Sequence, residues 1–183
     1  LQTELPGKWE YYINRLSGYI ASSGKKYKKC HLNLDERLQE LYEQGEEVPH
    51  RSLLKTAADI EGIKKSAAIN IGVLDYVAEH IKAGVNTAEI DKWIYDYTIE
   101  HGGTPADLNF EGYPNSVCTS INEVVCHGIP SEDDVLKEGD IVNVDCSTIL
   151  DGYFSDSSRM FCIGEGSEEA KQLVQVSKEC VEL

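Results

Sequence analysis

The chain has 183 residues, 41% hydrophobic and 27% charged, a balance that excludes an intrinsically disordered protein. No apolar run approaches the length needed to cross a bilayer. With 17 lysines and arginines against 32 aspartates and glutamates, the formal charge is −15, which argues against a whole-molecule surface for phosphate backbones or anionic lipid.

The charge is uneven. Residues 1–50 carry 7 basic and 8 acidic side chains, whereas residues 51–183 carry 10 and 24. This contrast predicts an N-terminal extension over 1–50 and a strongly acidic main domain over 51–183. No charged-then-apolar leader opens the chain, so a cytoplasmic protein is expected. Six cysteines without a C-x-x-C pair, in a chain neither short nor cysteine-dense, read as reduced thiols rather than a disulfide framework.

In chain order, Arg15–His31 is rich in Gly, Ser and Lys and reads as loop. Leu34, Leu38, Leu41 and Tyr42 recur at helical spacing and predict a short amphipathic helix over Leu34–Glu47, ended by Val48-Pro49. A long helix is expected from Ala57 to Lys82, with Ile60, Ile63, Ala67, Ile71, Leu74, Val77, Ala78 and Ile81 at intervals of three and four and Gly84 as a stop. Asn86-Thr87 caps a second helix, with Glu89 and Asp91 in its first turn, Ile90, Trp93, Ile94 and Tyr97 inward, and Gly102-Gly103 closing it. Strand-like runs follow at Ser116–Ile121, Asp140–Ile149 and Ser155–Ile163, and Ser167-Glu168-Glu169 caps a last helix. Helices first, then antiparallel strands, then a helix give an α+β class rather than alternating βαβ.

Gly139–Gly164 is the most informative stretch. Asp151-Gly152 is a two-residue hairpin turn between strand-like runs. With that turn, Leu150 faces Tyr153, Ser147 faces Asp156 and Asp145 faces Ser158. Opposed residues share a face, as do residues two apart, so Asp145 and Asp156 become diagonal neighbours with backbones about 7–8 Å apart. Asn143, Ser147, Ser158 and Met160 share their face, while Val142, Val144, Cys146, Ser157 and Phe161 lie on the other. Two converging carboxylates need a proton or a cation between them, and a divalent metal pair meets that need. The alternative is a solvated acidic sheet face.

His127 lies in a His-Gly-x-Pro turn after Val124-Val125. Gly128 and Pro130 fix the turn and can aim the imidazole outward. By itself the residue reads equally as a structural hydrogen-bond partner or a catalytic group.

The segments NFEGYPNSVCTSINEVVCHGIP (109–130), GDIVNVD and DGYFSDSSR together resemble the type I methionine aminopeptidases of bacteria, over about Leu53–Leu183. The resemblance implies the N-terminal half of a pita-bread fold, an α+β architecture of two pseudo-symmetric halves. Between the halves lie two divalent metal ions (Co, Mn, Fe or Zn) held by two Asp, one His and two Glu. Asp145 and Asp156, eleven residues apart, match the two aspartates. His127 matches the substrate-facing histidine, and Phe110, Tyr113 and Cys118 match the methionine pocket. The implied reaction is attack by a metal-bound hydroxide on the first peptide bond of a nascent protein. It releases the initiator methionine, preferably before a small residue.

The remaining His and two Glu belong to the second half. The chain starts at Leu1, not Met, and stops at Leu183, so it is expected to be truncated and inactive alone. Ser155 stands where the family usually has Gly. Asp107 stands near the pocket where a small or apolar residue is usual; it either alters the pocket or, as expected here, faces water. Ser22–His31 resembles the tail of a SEC-C zinc motif, but Tyr19 and Ala21 occupy the other two ligand places, so Cys30 and His31 alone predict no structural zinc. Lys25, Lys26, Lys28 and Lys29 form a basic cluster that faces either solvent or the ribosome. The competing readings are a related pita-bread peptidase of different N-terminal specificity and a non-catalytic peptide- or RNA-binding module.

Overall fold

The computed structural model describes residues 25–29, 32–48 and 53–182. It contains two units, Leu1–Leu54 and Lys55–Leu183. In the first, a 3-10 turn at Tyr27–Lys29 precedes helix α1, Leu32–Glu43. This helix starts two residues earlier and ends four earlier than its apolar spacing predicts. Leu34 and Tyr42 are exposed, and Asp35 is the buried residue of α1. Cys30 and His31, with Tyr19 and Ala21, lie outside the described residues.

The second unit opens with helix α2, Ala57–His80. Thr56 and Asp59 close a capping box: Asp59 N–H donates to Thr56 Oγ1 (3.2 Å) and Thr56 N–H to Asp59 Oδ2 (2.8 Å). Helix α3, Thr87–Glu100, starts the same way, with Glu89 N–H donating to Asn86 Oδ1 (2.9 Å) and Asn86 N–H to Glu89 Oε2 (3.1 Å). Strands β1 (Thr104–Pro105), β2 (Cys118–Ile121), β3 (Ile141–Leu150) and β4 (Tyr153–Cys162) follow, then helix α4, Glu168–Glu182.

All strand pairs are antiparallel, and β3 is central. Strand β4 pairs along its whole length, from Ile141↔Cys162 to Leu150↔Tyr153. The opposite edge of β3 is shared end to end: β1 pairs at Thr148 and Ile149, β2 at Val142–Asp145. The β3–β4 register is the one expected from the Asp151-Gly152 turn, whose φ values of +52° and +83° suit a two-residue hairpin.

Helices α2 and α3 cover one face of this sheet. Val73, Leu74 and Val77 of α2, Ile90 and Ile94 of α3, and Val142, Val144 and Cys146 of β3 form the core. Here the predicted helix face needs correction. Ile60 and Ile71 are exposed, and the buried stripe of α2 instead contains Ser66 and Asn70. These polar side chains are inward because they hydrogen-bond the sheet: Ser66 Oγ donates to Thr148 O (2.9 Å) and Asn70 Nδ2 to Cys146 O (2.7 Å). Ser155 belongs to this side too, with its hydroxyl 2.8 Å from that of Ser66. Helix α4 buries none of its side chains. Along β3, residues 142, 144, 146 and 148 are buried while 143, 145 and 147 are half-buried. The second sheet face is therefore the open one, and the two aspartates lie on it.

Candidate metal centre

Asp145 and Asp156 come together as the hairpin geometry requires. Asp145 stands opposite Ser158 and Asp156 opposite Ser147, so the two are diagonal neighbours on one face. Burial raises the Asp145 carboxyl above the usual carboxylate range, and the charges of Asp156 and Asp107 raise it further. On the other edge of β3, Cys118 lies directly across from Asp145. Burial raises its thiol, as do the charges of Asp107 and Asp145, so it is a neutral, soft wall beside the acids.

Asp107 is a third member of this face, contrary to the expectation that it faces water. It is half-buried, and its Oδ2 accepts a hydrogen bond from Ser147 N–H at 2.9 Å. Burial raises its carboxyl, the Ser147 N–H opposes that rise, and the charge of Asp156 adds to it. A single aspartate in a polar loop carries no sequence signal for such a position. The signal is the unpaired backbone N–H of a strand forty residues away.

His127 is exposed, with φ +56°. Its turn is tied to β2 through Thr119 N–H to Gly128 O (2.8 Å) and Gly128 N–H to Ser120 Oγ (3.2 Å). A Cβ at Gly128 would lie 2.0 Å from Thr119 O, so the close approach requires glycine. A positive charge on the imidazole favours the ionised forms of both Asp107 and Asp145, which places His127 within electrostatic reach of the acids.

The other resemblance-derived residues are less gathered. Tyr113 is half-buried, and its hydroxyl lies 2.9 Å from Val117 O and 3.2 Å from Gly128 O. Burial raises that hydroxyl, which holds the His127 turn from below. Phe110 sits on a 3-10 turn, Phe110–Gly112, and is 67% exposed.

Among the described residues no lysine or arginine pairs with Asp107, Asp145 or Asp156. Two neighbouring carboxylates on the open sheet face, with no lysine or arginine partner among the described residues, fit hard oxygen ligands for a divalent cation. They form only part of a shell: among the described residues no three His, Cys, Asp or Glu side chains gather as a ligand set. The five described cysteines are free thiols, and burial pushes Cys146 up to about 12.

This fold is that of a known peptidase class. The profile of metallopeptidase family M24 matches residues 61–183, and the chain belongs to that family. It is 43% identical over 130 residues to the methionine aminopeptidase of Haemophilus influenzae, covering 70% of this chain and 48% of that one. With the Escherichia coli K12 methionine aminopeptidase it shares 41% over 131 residues, 71% of this chain and 50% of the other. Among solved structures it superimposes on the methionine aminopeptidase of Rickettsia prowazekii with TM-score 0.65 at 42% identity, over 69% of this chain and 50% of that chain. On that of Thermotoga maritima the TM-score is 0.68 at 33% identity, over 70% and 51%. The α+β, pita-bread reading is borne out by these neighbours. The chain spans about half the length of the curated relatives it matches.

Proposed function

We propose that the protein is the N-terminal half of the catalytic domain of a methionine aminopeptidase, removing the initiator methionine from nascent chains. The observation that supports this most directly is the diagonal pairing of Asp145 and Asp156 on an open sheet face, with the His127 turn within electrostatic reach of Asp145. Asp145 and Asp156 would hold divalent ions, and the other ligands would come from outside the described residues. When bound, such ions supply an activated water and an anchor for a free α-amino group.

The chain's own residues have the remaining tasks. His127 is held outward by its Gly128-dependent turn, where its ring N–H can donate to the scissile amide and to the oxygen that gains charge as the carbonyl is attacked. Cys118 and Tyr113 line the substrate side with sulfur and an aromatic edge, a surface suited to a thioether side chain. Phe110, exposed at the rim, is positioned to close over that side chain. The two-metal count, the choice among Co, Mn, Fe and Zn, and a cytoplasmic location belong to this proposal as well. So does a ribosome-facing role for the exposed Lys25, Lys26, Lys28 and Lys29.

These 183 residues alone are proposed to be inactive, because two carboxylates leave most coordination positions to water. The test joins this chain to the second half of the Haemophilus influenzae relative and follows methionine release from Met-Ala-Ser with Mn2+. Release that is lost in D145N supports the reading. A chimera that binds Mn2+ yet leaves Met-Ala-Ser intact, or cleaves an Xaa-Pro dipeptide instead, overturns it. Turnover by the unjoined chain overturns the inactivity.

A further inference from the structure

The edge of β3 that carries β1 and β2 has a gap. Strand β1 pairs at Thr148 and Ile149, and β2 begins at Asp145. Between them lie Cys146 and Ser147, and it is Ser147 whose backbone groups face this edge. Its carbonyl accepts a hydrogen bond from Ala106 N–H at 2.9 Å, as if β1 continued for one more residue. Its N–H has no backbone partner, because the chain leaves the sheet at Asp107. The Asp107 carboxylate takes that N–H at 2.9 Å and so completes the ladder with a side chain.

Both backbone groups of Ser147 therefore face this edge. Toward β4, Ser147 and Asp156 form a non-hydrogen-bonded pair, the kind whose Cα atoms approach to about 4.5 Å and whose side chains lie closest. Accordingly Ser147 Oγ donates to Asp156 Oδ1 at 3.1 Å. The result is a continuous relay: Asp107 carboxylate, Ser147 N–H, Ser147 hydroxyl, Asp156 carboxylate. It runs from the loop after β1 across β3 to β4 and ends on one of the two acids that would hold metal.

We propose that Asp107 is a positioning residue for Asp156, fixing the Ser147 backbone and, through the Ser147 hydroxyl, the orientation of the Asp156 carboxylate toward a divalent cation. The inference rests on the metal role given to Asp156 above. A hydrogen bond to the acceptor oxygen, not the charge of Asp107, carries the effect. Asn at 107 keeps such an oxygen, and Ala does not. Outer partners that orient a carboxylate ligand typically change metal affinity by about 10–100-fold when removed.

The test titrates Mn2+ into the purified chain and reads free Mn2+ by electron paramagnetic resonance. Far-ultraviolet circular dichroism in EDTA checks that each variant is folded. Asp107→Ala and Ser147→Ala are each expected to weaken binding about tenfold, at the lower end of that range. Asp107→Asn is expected to stay within about twofold of the parent, and the double variant D107A/S147A to lose no more than either single one, because both break one relay. Should D107A not fold, Asp107→Ser reads the same link, its hydroxyl being too short to reach Ser147 N–H. Unchanged binding in D107A or its serine substitute overturns the proposal. So does a loss in D107N equal to that in D107A, or losses that multiply in the double variant. If D107A binds like the parent while D145N does not bind, the relay fails and the metal reading stands. If the parent chain takes up no Mn2+, both fall.

Discussion

Replacing Asp145 by Asn tests the open face most directly, because it keeps the shape of the side chain and removes one of three neighbouring charges. With charges about 4–5 Å apart and an effective dielectric of about 40, one such pair repels by about 2 kcal/mol. Solvent screening at the exposed Asp156 reduces this to about 1 kcal/mol. For a unit the size of Lys55–Leu183 that corresponds to a rise of about 3–5 °C in melting temperature. The sign depends on pH. Burial and the Asp156 charge raise the Asp145 carboxyl in the folded protein, so its contribution to stability is present below the unfolded pKa of about 4 and is lost as pH rises through the raised value. D145N should therefore melt higher than the parent at pH 7 in EDTA and match it near pH ~3.5, below both pKa values. Adding Mn2+ should invert the order. A ligand that binds only the native parent stabilises it by about 2.7 kcal/mol at a hundred times its dissociation constant, and D145N should gain little of that. Thermal melts by circular dichroism in EDTA and in MnCl2 measure both effects. A D145N protein that melts at or below the parent in EDTA at pH 7, or that gains as much from Mn2+, refutes the reasoning.

Asn70→Ala should cost about 1–2 kcal/mol in urea unfolding, because it removes its hydrogen bonds to the Cys146 carbonyl and from the Ser157 hydroxyl beneath the sheet; a loss below about 0.5 kcal/mol would contradict its structural role. Gly128→Ala drives a methyl group to 2.0 Å from Thr119 O, so the Thr119 amide should lose hydrogen-exchange protection as its bond to Gly128 O opens. Retained protection would show that the turn absorbs the methyl. At the hairpin, Gly152→Ala forces φ +83° on a residue with a Cβ and should lower stability by about 1 kcal/mol without changing the register, while Gly152→Asn should lose less. Cross-strand nuclear Overhauser contacts check the register and melting temperature the cost.

The hairpin was legible because two independent signals agree on it. A two-residue Asp-Gly turn fixes register, and period-two alternation fixes which face is apolar, so the position of Asp145 beside Asp156 follows without knowledge of the remaining fold. The start of α3 was legible for a similar reason, since a capping box needs only four consecutive residues, as Asn86–Glu89 shows. The buried face of α2 was only half legible. Ser66 and Asn70 look like solvent-facing positions until the carbonyls of Cys146 and Thr148 are seen above them. Ile60 and Ile71, chosen as core by their apolar character, are exposed on the helix's other side. Phe110, Tyr113, Cys118 and the role of His127 came from family resemblance, because neither spacing nor composition distinguishes them from ordinary loop and strand residues.

Asp107 shows why a local reading stops where it does. Its partner is a backbone N–H that has no sequence identity, left unpaired because β1 and β2 meet β3 at places that leave Ser147 between them. Any acceptor of the right reach could satisfy that group. A carboxylate there adds a third negative charge to a face that already holds two, and a neutral amide would have satisfied the ladder without the repulsion. A proton or a cation offsets that repulsion: the Asp107 and Asp145 carboxyls are both raised, and among the described residues no lysine or arginine pairs with them. If Asp145 and Asp156 hold a divalent ion as proposed, folding of this sheet and cation binding to its open face are linked. The degree of coupling is then measurable as the melting-temperature difference between EDTA and MnCl2.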